Sequence, residues 1–297
     1  METFQRELNH DRDECRKIEW KQHRLQVTQL FEAVFSKEPM VQKVAIVGAG
    51  NCDDLDLEYL AARCQSIHLF DIDQDSMEKG IKDLPELTRK KIELVKINVT
   101  GLDTIGFEEN LSSMLNRGEK AGEVLRYVKD AETRLSLLSE DLFAKYYNEF
   151  DIVATSAIYT QLFYNWALEL LTEHGANYQG SNMEQIKEGF LDVRDEIVRT
   201  LTHSLSKCIK QNGFYLTWSD ILKIEPEYGD TIKEGINAIF ALAANVGYGA
   251  ALIGLKAFME EVDKSKLSLR YWPWDFNADK RYLTIGIIGR LQGSAKH

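Results

Sequence analysis

The stretch Lys43-Val44-Ala45-Ile46-Val47-Gly48-Ala49-Gly50-Asn51-Cys52-Asp53-Asp54-Leu55-Asp56 decides how the rest of the chain is read. Its first part is a short apolar run broken by glycine, the pattern of a strand buried on both faces of a parallel sheet. Gly48 and Gly50 suit a sharp turn that lets a ligand approach the backbone. From Asp53 to Cys64, the spacing of Leu55, Leu57, Leu60 and Ala61 predicts a helix. The start of such a helix offers free amides and a positive dipole end. A dinucleotide-binding turn would want a third glycine where Asp53 stands. The carboxylates of Asp53, Asp54 and Asp56 would repel a pyrophosphate and suit a ligand carrying an ammonium or sulfonium group. At least one of them also fits as a helix N-cap.

Downstream, Ser66–Asp71 reads as a second strand ending in acid. Asp71 follows Gly50 by 21 residues. An acid there accepts hydrogen bonds from both hydroxyls of a ribose, a device that NAD sites share. Asp73 reads as the cap of a helix over Gln74–Leu84, and Ile92–Asn98 as a third strand. Strands alternating with helices at this pace predict βαβ units. Residues 104–148 carry Leu111, Met114, Leu115, Val124, Tyr127 and Val128 at helical spacing and are too long for a simple crossover. Phe150–Ser156 resumes the sheet, a helix follows through Met183–Lys210, and Gly213–Ser219 is a fifth strand. Apolar helices occupy about 231–262, and Leu267–Trp274 with Arg281–Arg290 form a hairpin around a turn at Asp275–Asp279. Upstream, Trp20, Val27, Leu30, Phe31 and Val34 predict helix over about 3–36. The expected fold is α/β: a Rossmann-like, mostly parallel seven-stranded sheet with an antiparallel C-terminal hairpin and helical cap insertions. It is read as a single domain over 1–297, with a helical extension over 1–40 and insertions near 104–148 and 174–195.

The 297 residues are 44% hydrophobic and 28% charged, enough for a sizeable core under a polar surface. A net charge of −11 argues against nucleic acid, whose binding rests on Lys and Arg. Gly235–Leu255 carries no charge and is long enough to span a bilayer. Asn237, Asn245 and the glycines around Val246–Ala250 favour short buried helices instead, so no membrane partner is expected. Cys15, Cys52, Cys64 and Cys208 form no CxxC pair, and no metal site is expected. The charged residues Arg6, Glu7, Asp11, Arg12, Asp13 and Glu14 do not make a signal peptide, and the chain reads as cytoplasmic.

The segments VAIVGAGNCDDLDL and IHLFDID resemble motif I and the following acidic motif of the class I, Rossmann-like S-adenosylmethionine-dependent methyltransferases. Ile97-Asn98-Val99-Thr100-Gly101 falls where many relatives carry an acid that contacts the adenine amino group; the amide oxygen of Asn98 can accept the same bond. Phe150–Ser156 resembles the fourth-strand motif whose end faces the methyl group, and the terminal hairpin resembles the reversed last strand of the family. The resemblance implies S-adenosyl-L-methionine as cofactor and S-adenosyl-L-homocysteine as product. It places Gly48, Ala49, Gly50, Asn51, Asp56, Asp71, Ile72, Asn98, Val99, Thr155 and Ser156 around the cofactor.

Methyl transfer from a sulfonium is an in-line displacement, in which the enzyme chiefly aligns the partners and excludes water. A base is needed only where the acceptor must lose a proton early, and none is assigned. Ligands of open α/β sheets bind beyond the strands' carboxyl ends. That makes Tyr159, Gln161, Tyr164 and Trp218 pocket candidates, with Ser156, Trp166, Ser219 and Asp220 beside them. Tyr159 also reads as a packed tyrosine, which is the commoner role of such a residue. The fourth strand lacks the Asn/Asp-Pro-Pro-Tyr run of many amino-group methyltransferases. Trp272-Pro273-Trp274 is an aromatic wall or a strand-edge packing cluster. His203 reads as structural, His174 as a helix C-terminal residue, and His23 as part of a helix that covers the site together with 104–148. These caps favour an enclosed small-molecule acceptor. A catalytically inactive methyltransferase-like scaffold and an NAD-dependent oxidoreductase are the rival readings. Aminopropyl transfer from the decarboxylated cofactor would need an acidic pair for a polyamine, and none is assignable.

Overall fold

In the computed structural model, which describes residues 1–10 and 16–291 with the side chains at 8, 10 and 137–141 left aside, seven strands form one sheet. They are β1 (Lys43–Val47), β2 (Ser66–Asp71), β3 (Ile92–Lys96), β4 (Phe150–Ser156), β5 (Ile209–Lys223), β6 (Ser268–Asn277) and β7 (Lys280–Arg290). Their order is β3-β2-β1-β4-β5-β7-β6. The strands β1 to β5 pair in parallel, while β7 runs antiparallel to both β5 and β6. This is the Rossmann-like arrangement with a reversed terminal hairpin that the sequence predicts.

Burial on both faces explains the unbroken apolar run of β1. Ala45 and Val47 join one core cluster, and Val44 and Ile46 the other, because successive strand side chains point to opposite faces. The first face is covered by α7 (Phe107–Asn116), α8 (Ala121–Leu142), α9 (Tyr164–Glu173), α10 (Ser181–Lys207), α12 (Ile236–Asn245) and α13 (Gly249–Glu261). They bury Leu111, Val128, Leu171, Phe190, Ile239 and Phe258 in one cluster. The opposite face takes α3 (Lys21–Phe35), α4 (Leu57–Arg63) and α5 (Gln74–Ile81) through Phe31, Leu60 and Met77. Short helices α6 (Glu86–Arg89) and α11 (Gly229–Glu234) bridge elements, and α1 (Glu2–His10) and α2 (Arg16–Glu19) precede α3.

The boundaries differ from the sequence reading where a side chain other than the periodic apolar set decides. The single helix expected over 3–36 is divided, with 11–15 outside the described residues. A break at Trp20 separates α2 from α3, and its indole Nε1 donates to the Phe276 carbonyl at 2.8 Å. The helix after the glycine turn begins at Leu57 rather than Asp53. Cys52 is left-handed, with φ 58°, and the Leu55 amide closes a turn onto the Cys52 carbonyl at 3.2 Å. β5 runs on to Lys223 because β7 continues to pair with it as far as Lys223↔Tyr282. The stretch without charge divides into α12 and α13, and among the described residues no helix is long and apolar enough to cross a membrane.

Strand order reverses between β1 and β4, so their following loops diverge and leave a crevice at the carboxyl ends. That crevice is the mouth of a cavity of about 580 Å³.

Candidate functional site

The turn after β1 forms one wall of the cavity. Gly48 has φ +81°, and a Cβ there would lie 3.0 Å from the Ser156 carbonyl oxygen and 3.1 Å from Ile158. Only glycine tolerates both the backbone angle and the approach of the neighbouring strand's exit. The Gly48 amide donates to the Phe70 carbonyl at 2.9 Å, and the Gly50 amide to Asp71 Oδ2 at 2.8 Å. Asp71 Oδ1 accepts from the Asp73 amide at 2.9 Å. Burial pushes the Asp71 carboxyl above the usual carboxylate range, against the pull of these amides. The turn and the acid at the end of β2 are therefore tied together at the cavity wall, with Ala49, Asn51 and Ile72 between and beside them.

The acids after Gly50 have separate fates. Asp53 and Asp54 face the cavity. Asp54 is buried and accepts from Ser156 Oγ at 2.6 Å and from Trp218 Nε1 at 2.9 Å. Burial raises its pKa, and the neighbouring Asp53 carboxylate adds to the rise. Asp56 is exposed, caps α4 by accepting the Tyr59 amide at 3.0 Å, and is not in the cavity wall. Asp56, expected from sequence at the cofactor, is placed outside the cavity because the later start of the helix makes it the N-cap. Two further residues expected from sequence at the ligand are absent from the cavity wall. Thr155 is fully buried and donates to Thr217 Oγ1 at 2.7 Å, inside the sheet core. Trp218 lies behind Asp54, edge-on to Phe31 at 6.1 Å between centroids, and does not line the cavity. Ser156 does line it.

Asn98 and Val99 face the cavity beyond Asp71. Asn98 Oδ1 accepts from both the Thr100 amide, at 3.1 Å, and Thr100 Oγ1, at 2.7 Å. Both lone pairs of that oxygen are engaged, so the amide presents its Nδ2 donor rather than the acceptor expected from sequence. Ala157, leaving β4, has φ 43°, a strained value for a residue with a Cβ, and its amide donates to the Trp218 carbonyl at 2.8 Å.

The element over the mouth is α1, not the helix carrying His23. Asn9 Nδ2 donates to Asp73 Oδ2 at 3.0 Å, Asn51 Nδ2 donates to the Asn9 carbonyl at 3.1 Å, and Gln5 Nε2 donates to the Gln161 carbonyl at 2.6 Å. His23 is buried among tryptophans. Trp272 Nε1 donates to its Nδ1 at 3.0 Å, and its ring stacks on Trp274 at 4.1 Å. Burial, helped by the Arg24 cation, lowers its pKa to about 3, so a neutral imidazole serves as packing. Trp272 belongs to this cluster, while Trp274 stacks in it and also reaches the cavity wall. His203 pairs with Glu261 at 2.9 Å, and His174 is the C-cap of α9.

Beyond Tyr159 the wall of the same cavity continues through Gln161 and Tyr164, a stretch called the second arm. Tyr159 is buried with its ring against Gly254, where a Cβ would fall 2.5 Å from it. It is at once packed and part of the wall. Asp220, near the end of the β4-paired part of β5, accepts from Thr160 Oγ1 at 3.3 Å. Burial raises its carboxyl to about 7, although the side chain still meets the cavity. Arg194, Tyr248 and Tyr282 line the cavity there, with Lys280 also in its wall. Sequence reading missed these three, since α10 also holds Arg199 and nothing local says which of the two arginines turns inward. No cluster of metal-ligating side chains occurs among the described residues.

No family model matches the chain, and no curated protein does. Similar solved structures include the N-methyltransferase NodS from Bradyrhizobium japonicum, at 11% identity over 91% of this chain and 96% of that one, with a TM-score of 0.43. The same protein in complex with S-adenosyl-L-homocysteine is 11% identical over 90% of this chain and 86% of that one, with a TM-score of 0.44. The YcgJ protein from Bacillus subtilis is 10% identical over 90% of this chain and 99% of that one, with a TM-score of 0.42. Likeness at this level does not name a ligand, and the chemistry rests on the residues described above.

Proposed function

We propose that the chain binds S-adenosyl-L-methionine along the wall from Gly48 to Ile72 and transfers its methyl group to a small molecule in the arm beyond Tyr159, releasing S-adenosyl-L-homocysteine. One observation carries this reading: Asp71, tied to the Gly50 amide at 2.8 Å, stays on the cavity wall beside a turn that only glycine permits. Three backbone amides, those of Gly50, Ile72 and Asp73, donate to the carboxylate, which keeps a lone pair for a ribose hydroxyl. Ile72 and Val99 offer apolar contact to a base, and Asn98 Nδ2 offers a donor to a ring nitrogen. Asp53 and Asp54 place negative charge where a pyrophosphate would be repelled and a cation favoured. Bound there, the cofactor supplies an electrophilic methyl group on a sulfonium. The chain's own part is to hold both reactants in line and keep water out, with α1 over the mouth. The whole of 1–297 acts as one domain in this reading, without nucleic acid or membrane as partner.

Ultraviolet cross-linking with methyl-labelled S-adenosylmethionine tests the placement. Label should map to peptides from 44–56 and 66–73 and be displaced by S-adenosylhomocysteine. Label confined to other peptides would overturn it. Retention of the cofactor with no acceptor turned over would favour the scaffold reading.

A further inference from the structure

The arm beyond Tyr159 holds two groups of opposite charge that the cofactor reading does not use. Asp220 accepts from Thr160 Oγ1 at 3.3 Å and from its own backbone amide, and no Lys or Arg pairs with it among the described residues. The phenols of Tyr248 and Tyr282 face it from the start of α13 and from β7, and burial together with its negative field holds both protonated. Arg194 enters from α10 with only 12% of its side chain exposed. Its Nε and Nη2 both donate to Asp195 Oδ1, at 2.7 and 2.6 Å, and the guanidinium sits 5.5 Å from the Tyr164 ring centroid. Nη1 carries no hydrogen bond among the described residues. The guanidinium also borders Gly249, where a Cβ would lie 3.4 Å from Nη2. Gly249 follows Tyr248 directly, so the cation and the carboxylate flank the same short turn.

A fixed cation and an unpaired carboxylate in one aromatic-walled chamber match a ligand with the complementary pair of charges. We propose that this arm is the acceptor subsite for a small zwitterion, an amine and a carboxylate on one molecule, with Asp220 holding the ammonium end and Arg194 the carboxylate end. The inference rests on the methyl-transfer reading for its chemistry. The ammonium gives one proton to the Asp220 carboxylate, and the freed nitrogen lone pair forms the new N–CH3 bond. The sulfonium carbon–sulfur bond breaks with its electrons passing to sulfur. A carboxyl whose pKa stands near 7 is poised to take and release that proton close to neutrality.

The test titrates the full chain by calorimetry with straight-chain amino acids from glycine to 8-aminooctanoate, each beside its methyl ester and its deaminated acid, with and without saturating S-adenosylhomocysteine. The Asp220 carboxyl is followed in parallel by carbon-13 NMR, assigned by its loss in Asp220→Asn. At least one amino acid should bind about tenfold tighter than both of its truncated partners and shift the Asp220 signal. Asp220→Asn and Arg194→Gln should each abolish that advantage while S-adenosylhomocysteine binding stays unchanged, which also reports that the variants fold. Equal binding of esters or deaminated acids, an unmoved Asp220 signal across the series, or full binding by both variants would overturn the subsite. Failure of the wild-type chain to bind S-adenosylhomocysteine would instead strike the methyl-transfer reading, and the amino-acid titration without it would still stand on its own.

Discussion

The Gly50 amide donates to Asp71 Oδ2 across 2.8 Å, so the turn after β1 and the acid ending β2 move as one piece. The Asp73 amide on Asp71 Oδ1, at 2.9 Å, extends that piece into the cap of α5. Removing the Asp71 carboxylate therefore unties the turn and, in the proposed reading, would leave the hydroxyls of a bound ribose without their acceptor. Asp71→Ala should weaken binding of S-adenosylhomocysteine by roughly 1–3 kcal/mol, measured by calorimetry. An unchanged affinity would show that the ribose lies elsewhere.

Gly48→Ala tests the shape of the turn rather than its chemistry. The new methyl would sit 3.0 Å from the Ser156 carbonyl oxygen at a backbone φ of +81°. Strain of this kind costs about 1–3 kcal/mol. Thermal unfolding should show a lowered midpoint, and cofactor binding should fall with it. A variant as stable as the parent would mean the turn relaxes freely.

Asp220 gives stability a pH signature. The unfolded carboxyl releases its proton near 3.8 and the folded one near 7. Between those values the unfolded state is the more ionised, so this group lowers stability as pH rises through the window. Tyr248 and Tyr282 are the titratable groups facing it, with Lys280 and Arg194 also in the cavity wall. Asp220→Asn should gain on the parent steadily from pH 4 to pH 7, read by urea unfolding at each pH. A constant difference across that range would contradict the assignment.

His23 acts on the acid side. Its folded pKa of about 3 lies below the ordinary 6.5, so the unfolded chain takes up the proton first as pH falls. Stability contributed by the neutral imidazole should be lost progressively below pH 6.5 and down toward pH 3. His23→Phe should flatten that loss, whereas Trp272→Phe, which strips Nδ1 of its donor, should lower stability by about 1–3 kcal/mol. Urea unfolding of the three proteins between pH 4 and pH 7 separates these outcomes.

The parts of the site legible in the sequence are those set by local spacing. Gly48, Gly50 and Asp71 belong to one βαβ unit, where a turn and an acid at the next strand's end follow from chain geometry. Asp56 was misplaced because Cys52 takes a left-handed angle and delays the helix to Leu57. Thr155 lies on the face of β4 opposite Ser156, and strand alternation does not say which face meets a ligand; Trp218 shares the face of Ser156 but is held behind Asp54 by its Nε1 hydrogen bond. Arg194, Tyr248 and Tyr282 come from α10, the start of α13 and β7. Only the packing of those elements over the end of β5 brings them together, and no local pattern records it. The same holds for α1, whose Asn9 reaches Asp73 across 64 residues of sequence.

In the proposed function the turn at Gly48–Gly50, with Asp71, holds a sulfonium cofactor. Calorimetric titration of the full chain with S-adenosylmethionine, S-adenosylhomocysteine and NAD tests it most directly. Both adenosyl compounds should bind at one site per chain and NAD should not. Binding of NAD with no heat from either adenosyl compound would contradict it.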